Sequence, residues 1–514
     1  MATEGHPSCF RGVKLASANT LSAAEVSFIK GMLSLNPRPT DQKILAYFTR
    51  PDRDLNHRLI GQIRKGVLFS SIAPATETAV RAFMLTCYFG PCRDANLIAP
   101  LHGSSSSARH GLRYLLLDWW PVGQGLFSSG AILAENGPRF NWIYDCGTSS
   151  KDKVLADAIA SCHSSRSSFG FSRIDLAILS HFDHDHISGF SRLVQTSRIR
   201  MVLLPYLTPL QRLVMALQQG VSADDALFGF YVDPVGYLRS LAGGDIGEIV
   251  FVLPSGPDDD VPPPPIEPAP DLEGPEEPPI KFEEDTPPEG AQGELFDGQA
   301  NANVRYLKRG GAISVPFDWE FLPYNDPSML PKVTKTFQSG ASRLVQDILS
   351  VPTTRRATLA KLKKLYDTRF GKSSKNRNII SLFVYSGPID QSAILLWHTS
   401  NRPLGLLAGS TRFAQMYTGD GTLGAGKQFA VFEKHYWPGS RLARAGILQV
   451  MHHGAEGNWH AGLASLLSPE ASIFSSDPSH KGYGHPHAAV LRDFWAFNPV
   501  QVDVSLGLHI LGAF

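Results

Sequence analysis

Along most of the chain, short apolar runs bounded by turn residues alternate with stretches whose apolar positions recur every three or four residues. The runs "IDLAILS" (174–180), "EIVFVLP" (248–254), "IISLFVYSG" (379–387), "AILLW" (393–397) and "ASIFSS" (471–476) predict strands. Between them, "KDKVLADAIASC" (151–162), "GFSRLVQT" (189–196), "PLQRLVMALQQ" (209–219) and "TTRRATLAKLKKLYDTRFG" (353–371) carry the spacing of helices. Interleaving of this kind predicts an α/β layered domain over residues 111–514. Upstream the pattern changes. Residues 21–68 hold three short helical patterns, the first opened by Ser22 with Glu25 three positions on, the second near Thr40 and Asp41, the third after Asn56. Such a trio suits a small helix-turn-helix-like module, serving nucleic acid through Arg58 and Arg64 or a protein partner. Residues 1–20 read as a flexible N-terminus and 69–110 as a linker or extension.

One stretch breaks the alternation. Residues 258–297 carry fourteen acidic side chains against one lysine among many prolines, so 255–303 reads as a disordered acidic insertion that interrupts the α/β domain. The whole chain has a formal net charge of +1, which leaves +14 outside that segment. A basic remainder suits a polyanionic partner, which the acidic segment is expected to mimic so as to restrain the basic groove. With 43% hydrophobic and 18% charged residues, and no apolar run near the roughly 20 residues a bilayer needs, the chain reads as globular and not membrane-spanning. "MATEGHPSCF" lacks a secretory pattern, which predicts a cytoplasmic location. Five scattered cysteines predict reduced thiols and neither a zinc ribbon nor a disulfide framework.

The chemistry concentrates at "SHFDHDH", where three histidines and two aspartates occupy six positions behind the strand "DLAIL". A tight loop there aims His181, Asp183, Asp185 and His186 at one point and leaves His184 outside; imidazoles and carboxylates are ligands for divalent cations. His487, at the start of a helical pattern, reads as a capping or surface group.

H-x-D-x-D-H resembles the signature of the metallo-β-lactamase-fold hydrolases, in the version of the ComEC-like subgroup, with Asp183 where a histidine usually stands. Further matches follow in order: "PVGQG" (121–125), "WIYDCG" with Asp145, "NIISLFVYSG" (378–387), "YTGD" with Asp420, "VMHHG" with His452 and His453, and "YGHPH" with His485. The resemblance spans about residues 112–512. It implies an αββα sandwich of two mixed β-sheets flanked by helices, and a pair of divalent metal ions that activate a shared hydroxide. By that match His181 and Asp183 serve one metal, Asp185 and His186 the other, Asp420 bridges, one of His452 and His453 completes the shell, and Asp145 supports it from behind. Asp185 belongs with the catalytic residues, and His485 is a last ligand or a proton donor. Zn²⁺ or Mn²⁺ is implied, with Mg²⁺ admissible, since Asp183 makes the site harder than an all-histidine one.

The fold alone does not name a substrate. The basic balance and the segment 355–377, with nine Lys or Arg against one Asp and with Tyr366 and Phe370 as stacking groups, favour DNA or RNA. Arg355, Arg356, Lys361, Lys363 and Lys364 are the candidate contacts. The expectation is a bacterial metal-dependent phosphodiesterase or nuclease; the alternatives are a hydrolase of a small signalling phosphodiester and a non-catalytic metal-containing binding protein.

Overall fold

A computed structural model describes residues 21–36, 38–39, 41, 44, 48, 57–77, 79–80, 113–134, 138–241, 245–255, 279–288, 303–329, 334–370, 380–389, 392–399, 410–424, 426–480 and 482–514. The chain divides into two compact units, Met1–His110 and Gly111–Phe514.

In the first unit the helix Ala23–Ser34 starts at a capping box: the Ser22 hydroxyl accepts from Glu25 N and the Glu25 carboxylate from Ser22 N. Its Val26, Ile29 and Met32 bury against Ile44, Phe48, and Ile60 and Ile63 of the helix His57–Arg64. Residues 69–80 do not behave as the linker that composition suggests. Lys30 Nζ donates to the carbonyls of Phe69 and Ile72, Ala75 N donates to Ser27 O, and Val80 is fully buried in the same cluster. The apolar spacing of Ile72, Ala75, Ala79 and Val80 carries this, and a Ser/Pro-rich composition hid it. Arg64 is held by Asp41 at 2.8 Å, and Arg58 is exposed. The expected N-terminal tail, Thr40, Asn56 and residues 81–110 lie outside the described residues.

The second unit is α/β, with two mixed sheets flanked by helices. Its strands among the described residues are β1 Arg113–Trp119, β2 Phe127–Ala134, β3 Arg139–Cys146, β4 Arg173–Ile178, β5 Arg198–Pro205, β6 Ile246–Val252, β7 Val304–Leu307, β8 Ile313–Val315, β9 Trp319–Asn325, β10 Leu382–Pro388, β11 Leu396–Thr399, β12 Ala414–Tyr417, β13 Ala445–Gln449, β14 Ala471–Ser475, β15 Pro499–Val502 and β16 Leu508–Ala513. One sheet runs β11-β16-β1-β2-β3-β4-β5-β6-β7 and the other β15-β14-β13-β12-β10-β9-β8. In the first, β3 to β7 are parallel; in the second, β12 to β15 are. "AILLW" enters its strand late, at Leu396.

Because side chains alternate across a strand, each sheet feeds two cores. Trp142, Tyr144, Leu176, Ile178, Tyr417 and Ile447 fill the space between the sheets. The alternate positions Ile143, Ala177 and Val202 face the helices Asp152–Ser168 and Phe190–Thr196. On the other sheet Phe383, Met416 and Leu448 meet the helix Gly426–Tyr436. Polar tips stitch the central layer: Tyr144 Oη donates to Leu382 O at 2.6 Å and stacks on Tyr417 with centroids 4.6 Å apart. A fourth cluster joins the helices Pro209–Gln219, Lys335–Ser350 and Arg355–Phe370 through Leu213, Phe337, Ile348 and Leu362. The helix Pro209–Gln219 is bounded by a Thr208 capping box and by Gly220 at φ 77°.

The acidic insertion departs from its expected disorder over residues 279–288. Lys281 pairs with Ser314 of β8 and Glu284 with Leu307 of β7, so this strap bridges the exposed edges of both sheets. Glu283 meets Lys308, Asp285 meets Arg309 at 3.3 Å, Glu284 meets Arg305 at 3.3 Å, and Phe282 lies under the Arg305 guanidinium. The acidic run 283–285, behind the apolar Ile280 and Phe282, matches the basic stretch 305–309, a local complementarity that overall composition conceals. Residues 256–278 and 289–302 lie outside the described residues. Cys146 and Cys162 are buried free thiols; Cys9, Cys87 and Cys92 also lie outside. Among the described residues no helix is long and apolar enough to cross a membrane.

Within β9, Glu320 is wholly buried and receives Arg441 Nε and Nη2 at 2.7 and 2.8 Å. Arg441→Met should therefore destabilise the protein by about 3 kcal/mol through the stranded carboxylate. Denaturant melts should show most of that recovered in the Arg441→Met/Glu320→Leu double variant.

Candidate metal centre

The polar cluster forms where five chain segments leave the carboxyl ends of β3, β4, β12, β13 and β14, the end at which open α/β sheets bind ligands. β3 delivers Asp145, whose φ of 56° turns the chain off the strand. After β4 comes the loop with His181 and Asp183, then a single helical turn, His184–Ile187, with Asp185 and His186. Gly147 lets this turn approach: a Cβ there would lie 2.5 Å from the backbone of Asp185 and His186. β12 ends in Thr418-Gly419-Asp420, held by Gln449 Oε1, which accepts from the backbone N of both Thr418 and Gly419. After β13, His452 and His453 both adopt positive φ, 46° and 57°, which swings their rings to the same side.

Four imidazoles are tied down through Nδ1. His181 donates to Ser180 Oγ (2.7 Å), His186 to Asp145 Oδ2 (2.7 Å), His452 to Asn458 Oδ1 (2.9 Å) and His453 to the Ser475 carbonyl (2.5 Å). The tautomers follow from these partners, since Ser180 Oγ–H is itself spent on Asp145 at 2.6 Å. Each ring therefore presents an Nε2 lone pair, and all four converge on Asp420. Oδ1 of Asp420 lies 3.1 Å from His186 Nε2 and 3.5 Å from His453 Nε2; Oδ2 lies 3.3 Å from His452 Nε2 and 3.7 Å from His181 Nε2. Asp183 stands 3.9 Å from His181 Nε2, and Asp185 stands 3.4 Å from His453 Nε2. The side chains thus sort into two sets sharing one carboxylate: His181, Asp183 and His452, and Asp185, His186 and His453. Both tandem histidines face Asp420, His452 at Oδ2 and His453 at Oδ1.

The cluster fits divalent cations on its own chemistry. His181 Nε2, His186 Nε2, His453 Nε2 and Asp420 Oδ1 are buried without a hydrogen-bond partner, although buried polar atoms ordinarily have one. Three groups of ligand atoms lie within 4.8 Å of one another: Asp185, His186 and His453; His181, Asp183 and Asp420; and Asp145, His181 and His186. In the last, Asp145 Oδ2 is spent on His186 and Ser180, so its place is behind the ligands.

Charge in the pocket is strongly perturbed. Burial alone would lower His186, yet the Asp420 and Asp145 carboxylates raise its pKa well above the usual imidazole range. His453 is raised against burial by Asp420 and Asp185. Burial and the neighbouring His186 push His181 well below its usual range. Burial opposes ionisation of Asp185, but the His453 ring facing it at 3.4 Å and the His186 charge outweigh it and hold the carboxyl down at about 2.

His485 stands apart from the two sets. Its ring lies 5.5 Å from His452 and stacks on His453 at 6.1 Å, and Gln124 Nε2 faces its Nδ1 at 3.4 Å. Burial, with His453 and His452 nearby, pushes it down to about 3. A donor from Gln124 leaves the proton of the neutral ring on Nε2. His184 is exposed. His487 occupies an N-cap position, but its side chain makes no cap bond and instead accepts from Glu456 N at 3.2 Å.

Of the basic set, Arg355 is spent on the carbonyls of Ile348 and Leu349, ending one helix where the next begins. Arg356 pairs with Asp224 at 3.3 Å and Lys363 with Asp367 at 2.8 Å; Lys361 and Lys364 are exposed. Tyr366 is no free stacking group, because its hydroxyl accepts from Gln218 Nε2 at 2.7 Å and its ring edges onto Phe337. The Phe370 side chain and residues 371–379 lie outside the described residues.

Sequence reasoning missed the supports. Gln219 Nε2 donates to Asp183 Oδ1, and Gln219 Oε1 accepts from Tyr231 Oη, which also reaches Phe182 O at 2.6 Å. Nothing in the sequence marked Gln219 or Tyr231. Ser180, next to His181, and Asn458, six residues after His452, were within local reach of the motifs. No protein-family model matches the chain, and no curated protein matches it.

Two outcomes follow from this geometry. Asp145→Ala and Ser180→Ala should each weaken divalent-metal binding by about 10- to 100-fold, read by titration calorimetry, since they release the rings that aim Nε2. Metal uptake needs His186 and His453 neutral, and their pKa values lie above the ordinary imidazole value. Protons should be released on binding at neutral pH, and affinity should fall as pH is lowered; affinity independent of pH between 6 and 8 would contradict the assignment.

Proposed function

We propose that the protein is a metallo-hydrolase of the metallo-β-lactamase fold, cleaving phosphodiester bonds in DNA or RNA. The observation that carries this reading is the shared carboxylate: the two oxygens of Asp420 face separate ligand sets, as a dinuclear site requires. His181, Asp183 and His452 would hold one divalent cation, and Asp185, His186 and His453 the other. When bound, such a pair supplies an activated water and offsets charge on phosphoryl oxygens. Three carboxylates among the ligands favour Mn²⁺ or Mg²⁺ beside Zn²⁺.

The chain's own groups supply the rest. Asp185, ionised over the whole neutral range, takes a hydrogen bond and orients the attacking water. His485, neutral with its proton on Nε2 and its tautomer fixed by Gln124, offers the departing oxygen a hydrogen bond and keeps its proton, so the oxygen would be protonated from solvent. Nucleic acid as the polymer is supported by the helix Arg355–Phe370, whose exposed Lys361 and Lys364 face solvent. That helix is joined to the centre: Gln218 bonds Tyr366, and the next residue, Gln219, bonds Asp183.

The test is purified protein with Mn²⁺, Mg²⁺ or Zn²⁺ against single- and double-stranded DNA, RNA, cyclic nucleotides and bis(p-nitrophenyl) phosphate. Hydrolysis of a polynucleotide should fall by about 10³-fold or more in Asp185→Ala and Asp420→Asn. Cleavage of cyclic nucleotides alone would select a small-molecule phosphodiesterase, and metal binding without hydrolysis would select a structural role.

A further inference from the structure

We propose that the loop between β14 and the helix Ala488–Asp493 carries a base-stacking subsite with Tyr483 as its platform, so that the strand entering the metal centre is read as single-stranded nucleic acid. The proposal rests on the phosphodiesterase reading above and adds the form of the substrate.

The Tyr483 ring is 42% exposed and belongs to a file of rings running inward from solvent. Its centroid lies 5.1 Å from His480 and 5.8 Å from His485, each at an interplanar angle of 37°. His485 in turn stacks on His453 at 6.1 Å and 19°, and His453 Nε2 faces Asp185. One ring therefore separates the exposed aromatic face from a ligand set.

The platform is fixed before anything binds. Tyr483 is braced by the rings of His480 and His485, and on the neighbouring segment Ser149 N donates to Gln124 O at 2.6 Å. Gln124 Oε1 also accepts from Asp477 N at 3.4 Å, and His487 N donates to Gly454 O at 3.0 Å, so the loop is pinned at both ends. An aromatic ring already immobilised loses little freedom when a flat partner lands on it.

The chemistry of the occupant follows. A ring face next to a phosphodiester-cleaving centre suits a nucleobase adjoining the scissile phosphate, because every base has a π face and stacking tolerates any sequence. In a duplex those faces are covered by neighbouring pairs, so only an unpaired strand offers one.

The experiment compares Tyr483→Ala, Tyr483→Phe and Tyr483→Trp in the metal-loaded full chain. Substrates are a single-stranded oligonucleotide, the matching duplex and bis(p-nitrophenyl) phosphate; a second readout is quenching of a 2-aminopurine base in the single strand on binding. Tyr483→Ala should raise KM for the single strand about tenfold or more, narrow its preference over duplex and chromogenic diester to match, and abolish the quench. The Phe and Trp variants should keep the wild-type preference and quench. Equal losses in Tyr483→Phe and Tyr483→Ala would assign the effect to the hydroxyl and overturn the proposal. So would wild-type quench in Tyr483→Ala, or the same fold-loss on all three substrates. A wild-type protein that cleaves the chromogenic diester yet neither binds nor cleaves polynucleotide would remove the nuclease reading and the subsite together. Nuclease activity untouched by all three variants would remove the subsite alone.

Discussion

Everything at the carboxyl ends of the strands is organised around the Asp420 carboxylate, which four imidazoles address through Nε2 while their Nδ1 atoms are held elsewhere. A buried carboxylate is costly unless positive charge compensates it. Burial raises the Asp420 pKa, but His452, His186 and His453 outweigh this and hold it well below the usual carboxylate range. Protonated imidazoles beside it and divalent cations in their place answer the same electrostatic demand. The anchors aim the rings in either case, because a ring fixed by Nδ1 cannot turn its Nε2 away from Asp420. Ser180 serves two of them at once, touching Asp145, His181 and, at 3.5 Å, His186. That economy explains why the motif residues sit behind a strand: the strand sets the backbone of Ser180, and Ser180 sets the rings.

Much of this could be read from the sequence. The alternation of apolar runs with helical spacing gave layered α/β architecture, and the density of ionisable groups in 181–186 pointed to one centre. The order of Asp145, Asp420, the tandem histidines and His485 named the distant contributors. What stayed hidden depends on tertiary approach. Gln219 reaches Asp183 only because the helix Pro209–Gln219 ends beside the loop, and its sequence context is that of any helix terminus. The participation of both His452 and His453 depends on two successive left-handed residues, a conformation that the sequence "VMHHG" does not announce before its Gly454. Composition misled in two places. It marked residues 69–80 as a connector, although Val80 is core, and it marked 279–288 as unstructured, although its charges pair with Arg305, Lys308 and Arg309.

The strap also changes the view of the acidic insertion. Its described part is occupied at the edges of β7 and β8, where it meets basic residues of the sheet itself and not those of the helix Arg355–Phe370. An exposed edge strand is a template for intermolecular pairing, and covering two edges with one charged segment removes that hazard. Glu283, Glu284 and Asp285 thus have a local structural use, distinct from imitation of a polyanion.

The clustered side chains come from both sheets: Asp145, His181 and His186 leave β3 and β4, whereas Asp420, His452 and His453 leave β12 and β13. The centre is consequently a rivet across the seam between halves of the polypeptide made far apart in time. A nascent chain released only as far as β4 has the first half of this cluster and lacks Asp420, on which the imidazoles converge. Completing the cluster therefore requires long-range closure of the sandwich, and any cation these groups hold would be captured after that closure.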